Sequence, residues 1–286
     1  MDNELEQITE APRRNLPAIG LRVVTGIILG GAVLAVLLLA PLWVAMLAVA
    51  LIAAVAYYEY ARMTPTLGWP EIVVGIIFCV LLIPLTFWGG LYATLAGMGI
   101  ALVVVGFICM AVGPPAFAIE KTSLLVFGFI YIAAPMACLL GLLQMEYGVR
   151  WAIYLLVIVA LTDMGGYFVG SLIGRHKLVP RISPNKTWEG LFGGLILSGV
   201  AGVLLFTFWP AMEISQWWQM AIFTLIVSLS SVAGDTFESA LKRIRGVKDS
   251  GKILPGHGGM LDRIDSYLLA LPTLLLLVYV WPQIGW

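Results

Sequence analysis

Asp163, Asp235, Glu238, Asp262 and Asp265 are carboxylates set inside or at the edges of apolar stretches of the chain. An unpaired carboxylate near the middle of a bilayer costs at least about 2.5–3.5 kcal/mol on insertion scales, so each needs a counter-ion, a proton or a wet cavity. Asp163 stands twelve residues into an apolar block beginning at 151; a protonated Asp bonded to a neighbouring helix is the alternative there. In Gly234-Asp235-Thr236-Phe237-Glu238-Ser239-Ala240-Leu241-Lys242-Arg243 a continuing helix puts positions 235, 238, 239 and 242 on one face, two carboxylates, a hydroxyl and an ammonium together. A solvated surface carrying a Glu238 to Lys242 pair is the other reading, but Asp235 follows Ser228, Ser230 and Ser231, a polar run that lipid disfavours. Asp262 and Asp265 share a helical face three residues apart; an N-cap role would explain Asp262 and leave Asp265 unexplained. Hard oxygen donors in pairs suit Mg²⁺, which takes one or two carboxylates plus waters and substrate phosphates. Zinc ligation has no support, because Cys79, Cys109 and Cys138 each lie in a different apolar block without metal-ligand spacing.

Basic residues fill the space between these acids. Lys242, Arg243, Arg245, Lys248 and Lys252 alternate with Gly246 and Gly251, and cations on so flexible a connection can wrap a polyphosphate. Leu254-Pro255-Gly256-His257-Gly258-Gly259 cannot stay helical. Ser183-Pro184-Asn185-Lys186-Thr187-Trp188-Glu189-Gly190 is a second polar stretch. Neither contains the GxxxxGK[ST] phosphate loop. The residue types point to metal-assisted chemistry on phosphate groups at a membrane face, with a lipid as one substrate.

The elements that position these groups are apolar. Of 286 residues, 61% are hydrophobic and 11% charged, against about 25% charged in soluble domains. The apolar residues fall into blocks of about 20, the length that spans a bilayer as a helix: 21–39, 42–58, 72–88, 91–112, 122–143, 151–173, 190–209, 216–233 and 264–281. They are continuous rather than alternating, which excludes a β-barrel. The expected fold is therefore all-α, a polytopic integral membrane protein of about nine transmembrane helices. With nine spans, fifteen basic residues fall on one face and Arg150 alone on the other. The positive-inside rule makes the first face cytoplasmic, with the N-terminus inside and the C-terminus on the opposite side. A net charge of zero offers no global field to recruit nucleic acid.

Charge is also uneven along the chain, 18 of 32 charged residues lying between Asp163 and Asp265. We expect 1–150 to be scaffold and lipid contact, about five helices. The catalytic part would be 151–286, with cytoplasmic polar loops 174–189 and 234–263. Small residues at four-residue spacing, Gly166, Gly170 and Gly174, then Gly190, Gly194, Ser198 and Gly202, would let two spans approach neighbouring helices closely.

Ser239-Ala240-Leu241-Lys242-Arg243, then Lys248-Asp249-Ser250-Gly251, then Leu254-Pro255-Gly256-His257-Gly258-Gly259-Met260-Leu261-Asp262-Arg263-Ile264-Asp265 resembles, over its whole length, the signature of the phosphatidate cytidylyltransferases (CDP-diacylglycerol synthases). The segments 183–190 and 234–239, and Asp163 within Thr162-Asp163-Met164-Gly165-Gly166-Tyr167-Phe168, look like segments of the same family. The resemblance implies transfer of CMP from CTP to phosphatidate, giving CDP-diacylglycerol and pyrophosphate, by a Mg²⁺-dependent membrane enzyme that is a homodimer. It implies metal-centre aspartates at Asp235, Asp262 and Asp265, with Glu238 and Asp163 nearby and a monovalent cation such as K⁺ sharing the centre. Lys242 joins those aspartates in the catalytic set. Ser183, Asn185, Lys186, Thr187, Glu189, Ser239, Arg243, Lys248, Asp249, Lys252, His257 and Arg263 would hold the triphosphate and the lipid headgroup. His257 is expected to donate to phosphate or shape its loop rather than act as a base. A CTP-dependent lipid kinase would use related residues to transfer the γ-phosphoryl group. The DGxxAR stretch of the CDP-alcohol phosphotransferases is absent. A transporter would not gather its charges at one membrane face.

Overall fold

Runs of Leu, Val, Ile and Ala uninterrupted by polar turns leave the backbone one way to satisfy its N–H and C=O groups in lipid, which is the α-helix. The computed structural model describes residues 16–112, 115–209, 214, 216–251, 253 and 258–284. Among them the helices are α1 (Leu16–Leu39), α2 (Leu42–Arg62), α3 (Trp69–Val112), α4 (Pro115–Leu143), α5 (Gly148–Ile173), α6 (Trp188–Phe208), α7 (Trp217–Ile244) and α8 (Leu261–Ile284). Helix α3 is two spans, Trp69–Gly90 and Tyr92–Ala111. They turn at Gly90, whose φ of 62° and ψ of −157° only glycine adopts without strain. Its halves fold back on each other, the Thr94 and Thr86 hydroxyls hydrogen-bonded at 2.8 Å. The nine expected spans are all present, eight of them long and apolar enough to cross a membrane and α1 contributing the shorter apolar stretch Val24–Leu39.

The outer surface is as apolar as the interior. Ile27, Phe107, Ile119, Leu172 and Leu276 are 62–80% exposed, which in water would invite aggregation and in lipid is the expected state. The core holds Tyr57, Tyr154, Phe223, Leu140 and Ile158, all below 2% exposed.

The stretch 174–189, expected as a loop, is a small antiparallel hairpin of β1 (Lys177–Val179) and β2 (Ser183–Thr187). Pro184 cannot donate to a ladder, and two strands alone are marginal in water, so tertiary contacts must hold the hairpin. Thr187, the N-cap of α6, accepts from the Gly190 amide at 3.1 Å. The Trp188 amide donates to the His176 carbonyl at 2.9 Å.

Helices α5 and α6 meet backbone to backbone. Gly190, Gly194, Ser198 and Gly202 are the buried residues of α6, the four-residue stripe seen in the sequence. A Cβ on Gly194 would lie 2.5 Å from the Thr162 carbonyl oxygen of α5, and one on Gly190 2.7 Å from the Gly166 carbonyl oxygen. Ser198 and Thr162 then hydrogen-bond Ser228 of α7 at 2.9 and 3.0 Å, tying three helices together beneath the hairpin.

This contact has a measurable consequence. Gly194→Leu should cost about 3 kcal/mol through overpacking against fixed backbone, lowering the unfolding midpoint in detergent. Gly199→Leu, where a Cβ meets nothing within 4 Å, should stay within about 0.5 kcal/mol.

Candidate functional site

The hairpin, α5, α7 and the start of α6 meet around a cavity of about 260 Å³, and the start of α8 packs against α7 beside it. Asp163 of α5, Asn185, Lys186 and Thr187 of the hairpin and Asp235 of α7 line it. Lys186 fastens hairpin to helix. Its Nζ lies 2.9 Å from Asp235 Oδ2 and donates to Thr236 Oγ1 at 2.8 Å and to the Val232 carbonyl at 3.2 Å. Both side chains of the pair keep partial exposure, 21% and 31%, so the ammonium stays within reach of an incoming anion.

The Gly-Asp step at 234–235 explains how a second acid comes so near. A Cβ on Gly234 would lie 2.6 Å from the Asp265 carbonyl oxygen, so glycine lets α8 press onto α7 beside Asp235. The carboxylate of Asp265 accepts from the Ser266 amide at 2.6 Å and lies within electrostatic reach of Asp235, Asp163 and Lys242. Asp163 in turn feels Asp235, Lys186 and Arg263. Three acids from three helices thus share one polar region, and among the described residues Asp235 Oδ1 has only the Ser239 hydroxyl, at 3.4 Å, as a hydrogen-bond partner. Among the described residues no three Asp, Glu, His or Cys side chains stand close enough together to hold a metal ion, so a cation there would take at most two protein carboxylates and draw its other ligands from water or substrate.

A second knot lies deeper. The Lys242 ammonium pairs with Glu238, one turn back on α7, and with Asp262 Oδ1 at 2.7 Å. All three side chains are nearly sealed, at 12%, 0% and 9% exposure. The carboxylate of Asp262 also accepts from the amides of Ser250, at 3.0 and 3.2 Å, and Gly259, at 2.8 Å. Asp262 lies in the first turn of α8, and its carboxylate reaches back to the Gly259 amide just ahead of the helix. Asp262 is therefore both a helix-entry carboxylate and the partner of Lys242. The sequence offers an N-cap role for Asp262; with α8 beginning at Leu261 it sits one residue inside the helix instead.

The other expected residues sit around these two centres. Arg243 donates to the carbonyls of Ile182 and Val247, each at 3.4 Å, linking the hairpin turn to the end of α7. Glu189 binds His176 Nδ1 at 2.6 Å and accepts from the Arg175 and His176 amides at 3.2 Å, so it shapes the entry to the hairpin. Ser183 pairs with Val179 in the sheet. Asn185, Lys248, Asp249 and Arg263 are exposed, free to meet a soluble ligand. Lys252 and His257 lie outside the described residues. Sequence reasoning missed Glu59: α2 continues to Arg62, past the expected end at 58, and carries this acid into the protein at 2% exposure. An ionisable residue in a span is a signal in itself, but nothing local reveals its partners.

A sequence model described as the cytidylyltransferase family matches residues 20–281. The phosphatidate cytidylyltransferase of Staphylococcus haemolyticus is 41% identical over 163 residues, 57% of this chain and 58% of that protein. Those of Staphylococcus epidermidis and Staphylococcus aureus (strain COL) are 47% identical over 132 and 131 residues, 46% of this chain and 50% of theirs. The chain thus spans about half the length of the curated relatives it matches.

The deep knot sets a stability prediction. Lys242→Met leaves Glu238 and Asp262 buried without their cation and should cost about 3–5 kcal/mol. Adding Glu238→Leu removes one stranded charge and should recover part of that loss. Chemical unfolding in detergent measures both, and a double variant less stable than Lys242→Met would contradict the pairing.

Proposed function

The chain belongs to the cytidylyltransferase family, and from that premise we propose that it transfers CMP from CTP to phosphatidate, releasing pyrophosphate and leaving CDP-diacylglycerol in the membrane. The observation that carries the reading is the meeting of Asp163, Asp235 and Asp265 with Lys186 beside an open cavity, at one end of an otherwise apolar bundle. The names of its relatives support the choice of substrates.

In this reading a phosphate oxygen of phosphatidate attacks the α-phosphorus of CTP. The bond from that phosphorus to the bridging oxygen of the β-phosphate breaks, and its electron pair leaves with pyrophosphate. Two anions must be brought together, so the protein's work is positioning and charge neutralisation. Lys186 and Asn185 at the cavity, with Arg243, Lys248 and Arg263 around it, meet the phosphates. No general base is required, because a phosphate monoester has its second pKa at about 6 and arrives largely dianionic. Hard carboxylate oxygens are the donor type that Mg²⁺ takes, one or two at a time with waters and substrate phosphates, which supports this choice of ion. Asp235 and Asp265 would hold the ion directly, with Asp163 beside them and Asp262 at the edge of the set, anchoring Lys242. A second, monovalent cation such as K⁺ would balance the third acid. When bound, the metal would supply Lewis-acid stabilisation of the phosphoryl oxygens.

The site faces the cytoplasm in this proposal, on the strength of the bias of fifteen basic residues to one. Cysteines placed at Arg181 and Ile253, both exposed, in a variant lacking Cys79, Cys109 and Cys138 should resist an impermeant thiol reagent in intact cells and label in inverted vesicles. Labelling from outside would reverse the orientation.

Isotope position tests the reaction. With phosphatidate and Mg²⁺ in detergent, α-labelled CTP should place its label in lipid and γ-labelled CTP in pyrophosphate; a lipid kinase would put the γ-label in lipid and leave the α-label in CDP. Asp265→Asn should reduce turnover by at least about 100-fold, the scale of losing one electrostatic stabiliser, while the protein still inserts and purifies. Near wild-type turnover across Mg²⁺ concentrations would remove Asp265 from the metal set.

A further inference from the structure

Glu59 belongs to neither the cavity nor the Lys242 knot, yet it touches the segment that joins them. It lies in the last turn of α2, 2% exposed. Its Oε2 accepts from the Leu261 amide at 2.8 Å and from the Ser250 hydroxyl at 3.2 Å. Its Oε1 has no partner among the described residues and faces Gly251, where a Cβ would come within 2.3 Å of it. A Cβ on Gly259 would come within 2.5 Å of Oε2. Ser250, Gly251 and Gly259, from the described parts of the connection between α7 and α8, pack on this one carboxylate, and the two glycines leave the room.

Leu261 is the first residue of α8, and its amide is one of the donors that a helix cannot satisfy internally. Glu59 satisfies it from another helix, with a negative charge at the positive end of the dipole. Ser250 passes the constraint on: while its hydroxyl bonds Glu59 it accepts from the Asp262 amide at 3.3 Å, and its own amide donates to the Asp262 carboxylate. Asp262 then holds Lys242, and Asp265 follows one turn into α8. We infer that Glu59 is a positioning residue for the transfer reaction, setting the start of α8 and with it Lys242, Asp262 and Asp265. The inference rests on the proposed function and draws the first half of the chain into the working of the site.

Two substitutions at one position test it in the full-length protein. Glu59→Gln keeps a carbonyl for Leu261 and Ser250, whereas Glu59→Ala removes both bonds. For CMP transfer, Glu59→Ala should lower kcat by about 100-fold and raise the KM for CTP, since an error of about 1 Å in positioning can cost that much; Glu59→Gln should stay within about threefold of wild type. A residue that only holds the fold together would reduce the active fraction and leave KM unchanged. Wild-type KM in Glu59→Ala, or Gln no better than Ala, therefore overturns the inference. Hydrogen exchange across 249–262 gives a readout independent of substrate: it should accelerate in Glu59→Ala and remain near wild type in Glu59→Gln. Unchanged exchange in Glu59→Ala overturns the clamp whatever the enzyme transfers, while wild-type protein that makes no CDP-diacylglycerol defeats the functional reading alone. If Glu59→Ala does not fold, Ser250→Ala removes one of the two bonds and should still speed exchange and raise the KM; no change in either is a refutation.

Discussion

An ionised side chain among apolar helices persists only where an opposite charge or an N–H meets it, because the lipid offers nothing in return for lost hydration. That requirement arranges one end of this bundle. Asp235 answers to Lys186, Glu238 and Asp262 to Lys242, and Glu59 to the Leu261 amide and the Ser250 hydroxyl. Each pairing crosses from one element to another or closes one turn of helix, so the electrostatics also determine how the pieces stand together. Asp163 and Asp235 line the cavity and Asp265 lies within electrostatic reach of both. The division between a sealed knot and an open cluster separates charges that hold the architecture from charges left to meet a ligand.

Bringing the helices close enough for these pairings falls to glycine. The approach of α6 to α5 at Gly190 and Gly194, and of α8 to α7 at Gly234, leaves no volume for a Cβ. Helix packing in lipid gains little from hydrophobic burial and depends on close contact and on interhelical hydrogen bonds. The Thr162, Ser198 and Ser228 hydroxyls supply those bonds beneath the cavity floor.

Nine helices were legible because lipid demands long apolar runs, and run length survives in any single sequence. The small-residue stripe was legible for a similar reason: a four-residue period is local, and Gly190, Gly194, Ser198 and Gly202 are the residues α6 buries. The shared face of Glu238 and Lys242 followed from helical spacing in the same way. The hairpin did not, since its strands carry Pro184 and little strand propensity, and its order comes from Lys186 and Thr187 reaching other elements. Nor did the partners of Glu59, which lie 191 and 202 residues away along the chain. Periodicity reports which face a residue occupies and is silent on what the fold brings to that face.

The turn at Gly90 bears on how the protein enters its membrane. Phe87-Trp88-Gly89-Gly90-Leu91-Tyr92 joins two spans without a charged residue, and Thr94 Oγ1 donates to the Gly90 carbonyl at 2.8 Å, a bond within the first turn after the bend. Translocating a connection of this kind requires no hydrophilic loop to be dragged through hydrocarbon. The segment Trp69–Val112 can therefore be threaded into the bilayer as one pre-folded hairpin, its biogenesis separate from that of the charged segments that arrive later in synthesis.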